Sequence, residues 1–387
     1  MALPPLSFED QDKARIARVG QVLGERFRGN EGQMAALFSG APITRPQLEE
    51  TLDVETVNDL TRLGLLVESD GRHRAMFTAW LVCGKVIFSD GRWHDRNLEP
   101  LFVDPLWEGH RIAELMVKSP AAMGLDIGCG SGVLSLAMAD YCEQVFGIDI
   151  NPRALLLARF NAILNGVHNV TFLESNLFAG LKGLTFDRMV FSSPVGEELA
   201  PRSLLESGEE ILEAFFSQFP AHVAPNGVVQ VNLCFRDWRD SSFFSRLERW
   251  LGGHRDDFEF VFLELWRRSG VGRHSGGPRI LARYLRACFR AGANPLRSRA
   301  ISRGFLTLRQ GRVGHSWIIP ADYHAWSGDD IDGPTGDFLI AAINGLTPDQ
   351  RGGAVASDDK LPGEAALIRA SGQDLRAQAR VMTRSLG

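Results

Sequence analysis

The sequence lacks the features that mark a secreted, membrane-spanning or zinc-binding protein. Its five cysteines lie far apart, are odd in number and include no C-x-x-C pair, so neither a disulfide framework nor a zinc site is indicated. No segment reaches the roughly 20 uninterrupted apolar residues of a membrane helix. Acidic residues interrupt the N-terminus before any apolar run long enough for a signal peptide. We therefore expect a soluble, cytoplasmic protein without a metal site or a membrane partner.

A basic charge excess is absent as well. The formal net charge is -5 and the isoelectric point is about 6.0, which argues against a protein that coats nucleic acid or an anionic membrane. Hydrophobic residues make up 44% of the chain and charged residues 23%, so a disordered or fibrous protein is excluded. The 387 residues are enough for one large α/β domain and a smaller one.

Residues 1–95 are predicted to form a mainly helical domain that resembles a winged helix. Apolar residues recur at helical spacing between residues 8 and 63, and Ser69-Asp70-Gly71 then gives a hairpin signal between two short apolar strands. Acidic residues outnumber basic ones here, whereas a DNA-reading winged helix should carry a basic face. We expect a lid or a dimerisation domain, with a homodimer as one outcome, and no DNA partner.

Strand and helix patterns alternate over residues 96–320, which is typical of a doubly wound, mostly parallel sheet. An α/β, Rossmann-like domain is therefore expected there. Residues 321–387 are interrupted by Gly, Asp and Pro and are predicted to form a tail with two short helices. The predicted strands cover residues 122–127, 144–149, 170–174, 188–192 and 228–233, and a final pair lies near residues 304–308 and 316–319.

The segment Gly124-Leu125-Asp126-Ile127-Gly128-Cys129-Gly130-Ser131-Gly132 is a buried strand pattern that runs into a glycine turn. Alternate glycines let the backbone bend sharply and approach a ligand where any Cβ would collide. The dinucleotide fingerprint G-x-G-x-x-G is not met, because Val133 stands where its third glycine would fall. Asp126 would repel a pyrophosphate but attract the ammonium group of an amino acid. The turn therefore favours a cofactor that carries an amino-acid moiety.

The next predicted strand ends at Asp149. Its position at the carboxyl end of the strand puts it beside the glycine turn, where a carboxylate can accept both hydroxyl protons of a ribose. The alternative is that Asp149 only caps the helix that begins after Asn151-Pro152. Together, the turn and the strand end predict a site for a nucleoside joined to an amino acid.

These residues, together with the segment 161–166, resemble the class I S-adenosylmethionine-dependent methyltransferases. Within that family the stretch is similar to the methyltransferase small group, which includes HemK-type glutamine and rRNA guanine methyltransferases. The resemblance covers residues 100–235 closely. It implies a seven-stranded methyltransferase sheet, with S-adenosylmethionine as the donor and S-adenosylhomocysteine as the product.

The resemblance also implies which residues hold the cofactor. Asp126 and the backbone of residues 128–132 would hold the methionine part, and Asp149 the ribose. A G-D-L-F-type segment of the family touches the adenine through its acid; this chain has Ser175-Asn176-Leu177-Phe178, and the Asn176 amide oxygen can still accept from the adenine amino group. The predicted cofactor-binding residues are Asp126, Gly128, Cys129, Gly130, Gly132, Asp149, Ile150, Asn176, Leu177 and Ser192.

The acceptor segment departs from the family. Relatives carry Asn-Pro-Pro-aromatic at the end of the fourth strand, where the resemblance implies that the Asn oxygen and a backbone carbonyl grip an amino group. This chain has Ser192-Ser193-Pro194-Val195. A serine hydroxyl is too short to replace the amide, and valine offers no aromatic face. Either the acceptor is not a planar amine, or another segment has taken over the grip, or the change is neutral drift in a surface turn.

Four residues are predicted as catalytic: Ser192, Ser193, Pro194 and His110. Methyl transfer from a sulfonium needs mainly alignment and exclusion of water, and a base only if the acceptor must lose a proton. His110 precedes the first strand of the methyltransferase region and is the candidate base. A structural or solvated histidine is the alternative.

Three functions are consistent with these residues. The altered acceptor segment and the acidic charge favour methyl transfer to an oxygen, sulfur or carbon atom of a small molecule, as in small-molecule biosynthesis. The wider family and the arginine-rich stretch 236–309 favour an rRNA or protein amine methyltransferase, with RNA as a less favoured partner. The third is a cofactor-binding scaffold whose acceptor pocket has decayed.

Overall fold

The computed structural model describes residues 7–91, 103, 109–193, 202–269, 298–311, 316–320 and 367–369. The chain divides into two compact units. The first comprises residues 1–113 and 120–182, and the second comprises residues 114–119 and 183–387.

The described part of the first unit begins with four helices and a small sheet. The helices are α1 (Lys13–Phe27), α2 (Glu31–Leu37), α3 (Arg45–Thr51) and α4 (Val54–Arg62). An antiparallel sheet in the order β1-β3-β2 is formed by β1 (Ile43–Thr44), β2 (Leu66–Ser69) and β3 (Arg72–Ala75). Asp70 and Gly71, in the turn between β2 and β3, both have positive φ, as a tight hairpin requires. Helices followed by a hairpin agree with the sequence pattern, and the winged-helix character of this part stays a prediction.

Helix α1 packs closely against α7 (Pro152–Leu164), because Gly20 has no side chain at the contact. A Cβ on Gly20 would lie 1.7 Å from the backbone oxygen of Leu164. Burial of one large apolar side chain contributes about 1.5–3 kcal/mol, so the apolar side chains buried between the two helices stabilise this contact. The buried apolar residues that the two helices contribute to one core are Ile16, Val19, Leu23, Phe27, Ala154, Leu157, Phe160 and Leu164.

A second hairpin, formed by β4 (Phe77–Val82) and β5 (Lys85–Asp90), is held to helix α7 by two amide side chains. Asn161 accepts from the backbone N of Phe88 and donates to its O, both at 2.9 Å. Asn165 makes the same two bonds to Val86, both at 2.8 Å. Arg153 adds an ion pair with Asp90, whose side chain is fully buried. The amides satisfy backbone groups of β5 that a neighbouring strand would otherwise bond.

Three parallel strands complete the described part of the first unit. Their order is β6-β7-β8, and helices connect them, as parallel strands require. The strands coincide with three of the predicted segments, and their carboxyl ends share one edge. The elements are α5 (Gly109–Leu115), of which residues 114 and 115 are assigned to the second unit, β6 (Ala121–Ile127), α6 (Val133–Met138), β7 (Cys142–Asp149) and β8 (Val170–Glu174).

The described strands of the second unit pair in the order β9-β10-β12-β11-β13-β14. Strand β9 is parallel to β10, and β12 is antiparallel to both β10 and β11. The elements are β9 (Phe186–Ser192), α8 (Arg202–Gln218), β10 (Val223–Trp238), α9 (Phe243–Leu251), β11 (Phe258–Ser269), β12 (Ser298–Gln310), β13 (Ser316–Pro320) and β14 (Leu367–Arg369).

Phenylalanine rings join helices α8 and α9 to the sheet of the second unit. The rings of Phe235 and Phe243 stack at 4.0 Å between centroids, and Phe191 and Phe215 lie 4.8 Å apart. Edge and stacked ring contacts of this kind add to the burial of apolar area. One face of strands β9 and β10 is therefore covered by helices, and residues of alternating position point to the other face.

The α/β fold class with a mostly parallel sheet is confirmed, and the strand number differs from the expectation. Among the described residues, the strands from β6 onward number nine, whereas the resemblance implied seven. The additional strands are β13 and β14, which pair in parallel beyond β11. Strand β14 has three residues and lies in the predicted tail, where so short a segment shows no periodicity. The boundaries at 95/96 and 320/321 stay predictions.

None of the helices in the described part of the chain is long and apolar enough to cross a membrane.

Candidate functional site

The glycine turn after β6 adopts backbone angles that only glycine takes readily. The φ angles are +66° at Gly128, +53° at Gly130 and +84° at Gly132, all in the left-handed region. At Gly132 a Cβ would also lie 3.1 Å from the Cβ of Ala158 in helix α7. The turn is therefore pressed against α7 on one side, while Gly128 is exposed on the other.

Asp126, at the end of β6, holds the first turn of helix α6. Its Oδ2 accepts from the backbone N of Ser135 at 2.8 Å and from the Ser135 hydroxyl at 2.6 Å. The side chain is buried, and burial raises the pKa of Asp126 to about 7, against the two bonds from Ser135 and with a smaller contribution from Asp149. The carboxyl group therefore changes charge near neutral pH.

Asp149, at the end of β7, is bonded directly to the glycine turn. Its Oδ2 accepts from the backbone N of Gly130 at 2.9 Å, and its Oδ1 accepts from the backbone N of Asn151 at 2.9 Å. Burial raises the pKa of Asp149, and the bonds from Asn151 and Gly130 oppose that rise. The cap of helix α7 is Asn151, whose side chain accepts from the backbone N of Arg153, so Asp149 faces the turn.

The residues around Asp149 are open to a planar ligand. Ile150, the residue after Asp149 in the chain, is an apolar side chain with 67% of its surface exposed. Asn176 is exposed, and the chain before it is fixed because the backbone N of Ser175 donates to the Asp149 O at 3.1 Å. Leu177 has a φ of +47°, an unfavourable angle for leucine that marks functional sites when the surroundings impose it.

Cys129 lies inside the turn and its backbone is fixed by a bond from its N to the Ile148 O at 2.9 Å. Its side chain is buried, and burial raises the pKa of the thiol. A thiol with a raised pKa stays protonated and is neither a nucleophile nor a metal ligand at neutral pH. Within the part of the chain that the structure describes, no cluster of His, Cys, Asp or Glu could hold a metal ion.

The acceptor segment lies at the end of β9, in the second unit. The backbone N and the hydroxyl of Ser193 both donate to the backbone O of Asn232 in β10, at 3.1 and 3.0 Å. The Ser192 hydroxyl accepts from Nδ2 of Asn232 at 3.4 Å. Pro194 and Val195 lie outside the described residues. The hydroxyl of Ser193 therefore holds the residue after β9 to strand β10.

His110 lies in helix α5, and the described side chains do not include it. The roles predicted for His110, Ser192, Ser193 and the cofactor-binding residues stay predictions.

The structure does show three polar residues that sequence reasoning missed. Ser135 bonds Asp126, Asn161 bonds the turn through the O of Ser131 at 2.8 Å, and Asn232 stands beside Ser192. Only Asn232 had a signal in the sequence. Ser192 stands where the family has Asn, which left open that another residue supplies the side-chain amide.

Comparisons with known proteins agree with this geometry. A family profile described as "Methyltransferase domain" matches residues 118–242. A proposed protein N5-glutamine methyltransferase of Methanocaldococcus jannaschii is 38% identical over 146 residues, which cover 35% of this chain and 73% of that protein.

Two bacterial proteins match over shorter stretches. The release factor glutamine methyltransferase of Fusobacterium nucleatum is 49% identical over 73 residues, 18% of this chain and 21% of that protein. The ribosomal protein L11 methyltransferase of Caldanaerobacter subterraneus is 38% identical over 68 residues, 17% of this chain and 22% of that protein. The chain thus spans about a fifth of the length of each of these two relatives.

These names overturn one expectation from the sequence. A small-molecule substrate, with RNA as a less favoured partner, was predicted from residues 192–195 and the acidic charge. The relatives are named instead for methyl transfer to glutamine of release factors and to ribosomal protein L11, which are protein acceptors. The prediction was wrong because it gave the exchange at residues 192–195 and the acidic charge more weight than the wider family, which favoured the amine alternative.

Proposed function

This chain belongs to the class I S-adenosylmethionine-dependent methyltransferases of the HemK-like small group, and we propose that its acceptor is a side-chain nitrogen of a protein. S-adenosylmethionine is the methyl donor. One observation carries the choice of acceptor: the relative with 38% identity, of which this chain covers 73%, is named for protein N5-glutamine methyl transfer. Relatives named for release factors and L11 support the same class.

The cofactor is proposed to bind at the glycine turn and the end of β7. The chemistry of the described residues fits a nucleoside joined to an amino acid. Gly128 and Gly130 have positive φ, which favours glycine and leaves this part of the turn without side chains. The Asp149 carboxylate can accept from ribose hydroxyls, and Ile150 offers an exposed apolar surface for adenine. Asp126 would attract the ammonium group when its carboxyl is ionised.

The reaction asks this chain for orientation more than for acid or base. The bound cofactor supplies a methyl group that is already electrophilic. The residues of the acceptor site must hold a nitrogen in line with that methyl carbon and keep water away. A side-chain amide is planar and carries two N–H donors, so hydrogen-bond acceptors at the site fix its plane. His110 stays a candidate for removing the proton that the nitrogen loses.

Methyl transfer from labelled cofactor tests the proposal. The purified chain is incubated with tritiated S-adenosylmethionine and, in separate reactions, with a bacterial release factor, ribosomal protein L11, deproteinised rRNA and a low-mass metabolite extract. Label in a protein that survives nuclease digestion and is recovered as a methylated glutamine or amine supports the proposal. Label confined to RNA or to low-mass products would refute it.

An inactive variant is needed to separate transfer by this chain from transfer by a contaminant. Asp149→Ala serves this purpose because it removes a carboxylate of the proposed cofactor site. Cofactor binding without transfer to any of the acceptors would return attention to the decayed-scaffold hypothesis. The lid or dimerisation role of residues 1–95 and the cytoplasmic location stay predictions.

A further inference from the structure

Asn232 stands in register with Ser192. The two residues are Cα partners in the parallel pair of β9 and β10, so their side chains leave the same face of the sheet, about 4.8 Å apart. Nδ2 of Asn232 lies 3.4 Å from Oγ of Ser192. The carboxamide of Asn232 therefore leans toward the position that the longer side chain of the family's Asn would occupy at residue 192.

The hydrogen bonds of Asn232 leave its amide oxygen unused. Within the described part of the chain, its Oδ1 accepts no hydrogen bond, and its Nδ2 makes only the long contact with Ser192. Gln230, two residues earlier on the same face, is the opposite case. Its Oε1 accepts from Val117 N at 2.8 Å, and its Nε2 donates to Leu115 O at 3.0 Å and to Thr307 Oγ1 at 3.2 Å. The hydrogen-bonding groups of the Gln230 side chain are therefore used within the protein, whereas the Oδ1 of Asn232 can accept a hydrogen bond from a ligand.

The surroundings hold the Asn232 backbone in place. Ser193 binds its carbonyl oxygen through both N–H and hydroxyl, and the residue is 8% exposed. A hydrogen bond made at such a position is stronger than one in water, because little solvent competes with it. Asn232 Oδ1 is not among the described buried side-chain atoms that lack a partner, so this oxygen reaches the protein surface although most of the residue is buried. A ligand with an N–H donor can therefore approach it.

We infer that Asn232 is the acceptor-binding amide of this chain, and that its Oδ1 receives a hydrogen bond from the nitrogen that becomes methylated. This inference rests on the proposed function, and it names a primary side-chain amide as the chemical class that fits. Ser192 is a positioning residue: its hydroxyl accepts from Nδ2 and so keeps Oδ1 turned toward the acceptor. The amide that binds the acceptor is thus supplied by strand β10 and not by strand β9. This explains how a chain with serine at residue 192 can bind a planar acceptor.

An exchange of the two side chains tests the inference. Three proteins are compared: the wild type, Asn232→Ser, and the double variant Ser192→Asn/Asn232→Ser, which returns the amide to β9. The probes are tritiated S-adenosylmethionine and recombinant bacterial release factor, with ribosomal protein L11 as the second acceptor. Gln230→Leu is the matched control, because it removes a neighbouring amide that is already satisfied within the chain.

Asn232→Ser is expected to lower kcat/KM for the protein acceptor by about 10- to 100-fold, the loss of one buried hydrogen bond, while the cofactor Kd stays within about twofold. The double variant should recover about tenfold of that loss. Gln230→Leu should lower the melting temperature without a selective change in acceptor KM. Unchanged kcat/KM in Asn232→Ser, or a loss that the double variant does not recover, overturns the inference alone. Absence of protein labelling by the wild type overturns the proposed function and this inference with it.

Discussion

The Oδ2 of Asp149 accepts a hydrogen bond from the backbone N of Gly130 at 2.9 Å. The bond joins the two features that the sequence offered as separate halves of a cofactor site, the glycine turn after β6 and the acid that ends β7. It also fixes the carboxylate before any ligand arrives, so little rotamer freedom remains to be lost on binding.

Replacing Asp149 with alanine should weaken S-adenosylmethionine binding by at least about 100-fold, because two charge-assisted hydrogen bonds to a ribose would be lost along with the bond that shapes the turn. Titration calorimetry measures the affinity, and circular dichroism checks that the variant is folded. Glu143→Ala is the matched control, since Glu143 is an exposed acid on the same strand. Equal affinity for Asp149→Ala and Glu143→Ala would count against the proposed site.

The buried acid Asp126 should make stability fall as pH rises. Burial raises its pKa to about 7, so between pH about 4 and 7 the folded chain keeps a proton that the unfolded chain has released. The stability that this group contributes is present at low pH and is lost as pH increases through 7. Asp126→Asn has no such proton, and its unfolding free energy relative to wild type should therefore rise by up to about 4 kcal/mol from pH 4 to pH 8.

Urea unfolding of both proteins at several pH values measures this difference. Glu143→Gln, which removes an exposed acid of strand β7, is the control for the loss of a carboxyl group in itself. A constant difference for Asp126→Asn would mean that the carboxyl group titrates normally in the folded protein.

Two glycines of helix α1 should respond to alanine with opposite sign. A Cβ at Gly20 would lie 1.7 Å from the backbone oxygen of Leu164, whereas at Gly24 the nearest atom, Cγ2 of Val86, is 3.8 Å away. Gly20→Ala must push α1 away from α7 and should cost at least about 3 kcal/mol. Gly24→Ala should stabilise by up to about 1 kcal/mol through helix propensity. Thermal unfolding measures the melting temperatures of the two variants. A shift of both melting temperatures in the same direction would contradict the close packing of α1 against α7 at Gly20.

Asn161 should couple the hairpin to the cofactor turn. It donates to both Phe88 O and Ser131 O from a fully buried position. Asn161→Asp replaces the donating Nδ2 with an oxygen that faces two carbonyl oxygens. This change should lower the free energy of unfolding by about 3–5 kcal/mol. It should also weaken cofactor binding about tenfold. Asn165→Asp loses one bond to the hairpin, from Nδ2 to Val86 O, and has none to the turn, so it should destabilise without the change in affinity. Calorimetry at a temperature where both variants are folded separates the two effects.

Much of this fold was predictable from local sequence pattern. Strands β6, β7 and β8 and the glycine turn follow from apolar runs that end in Gly and Asp, since those signals lie within a few residues of each other. The bonds from Asn161 and Asn165 to strand β5 were not predictable, because each joins residues more than 70 positions apart. An asparagine in an apolar helix gives no sign of the backbone that it will satisfy.

The acceptor site shows a different limit of sequence reading. The departure at Ser192 was visible, and one of the alternatives was that another segment supplies the grip. Which segment does so depends on the register between β9 and β10, and register is set by packing of the whole sheet rather than by the residues near Ser192. The sequence therefore raised the right question about residue 192 and could not point to residue 232.

The hydrogen bonds from Asn161 and Asn165 of helix α7 to strand β5 limit where this chain can be divided. A fragment that starts at residue 96 would lose Asp90, Phe88 and Val86, and the side chains of Arg153, Asn161 and Asn165 would then face solvent or one another instead of their partners. The apolar side of α7 would be uncovered at the same time. Shortened versions, circular permutants and chimaeras with relatives should therefore keep the hairpin and α7 from the same parent, as one inherited block.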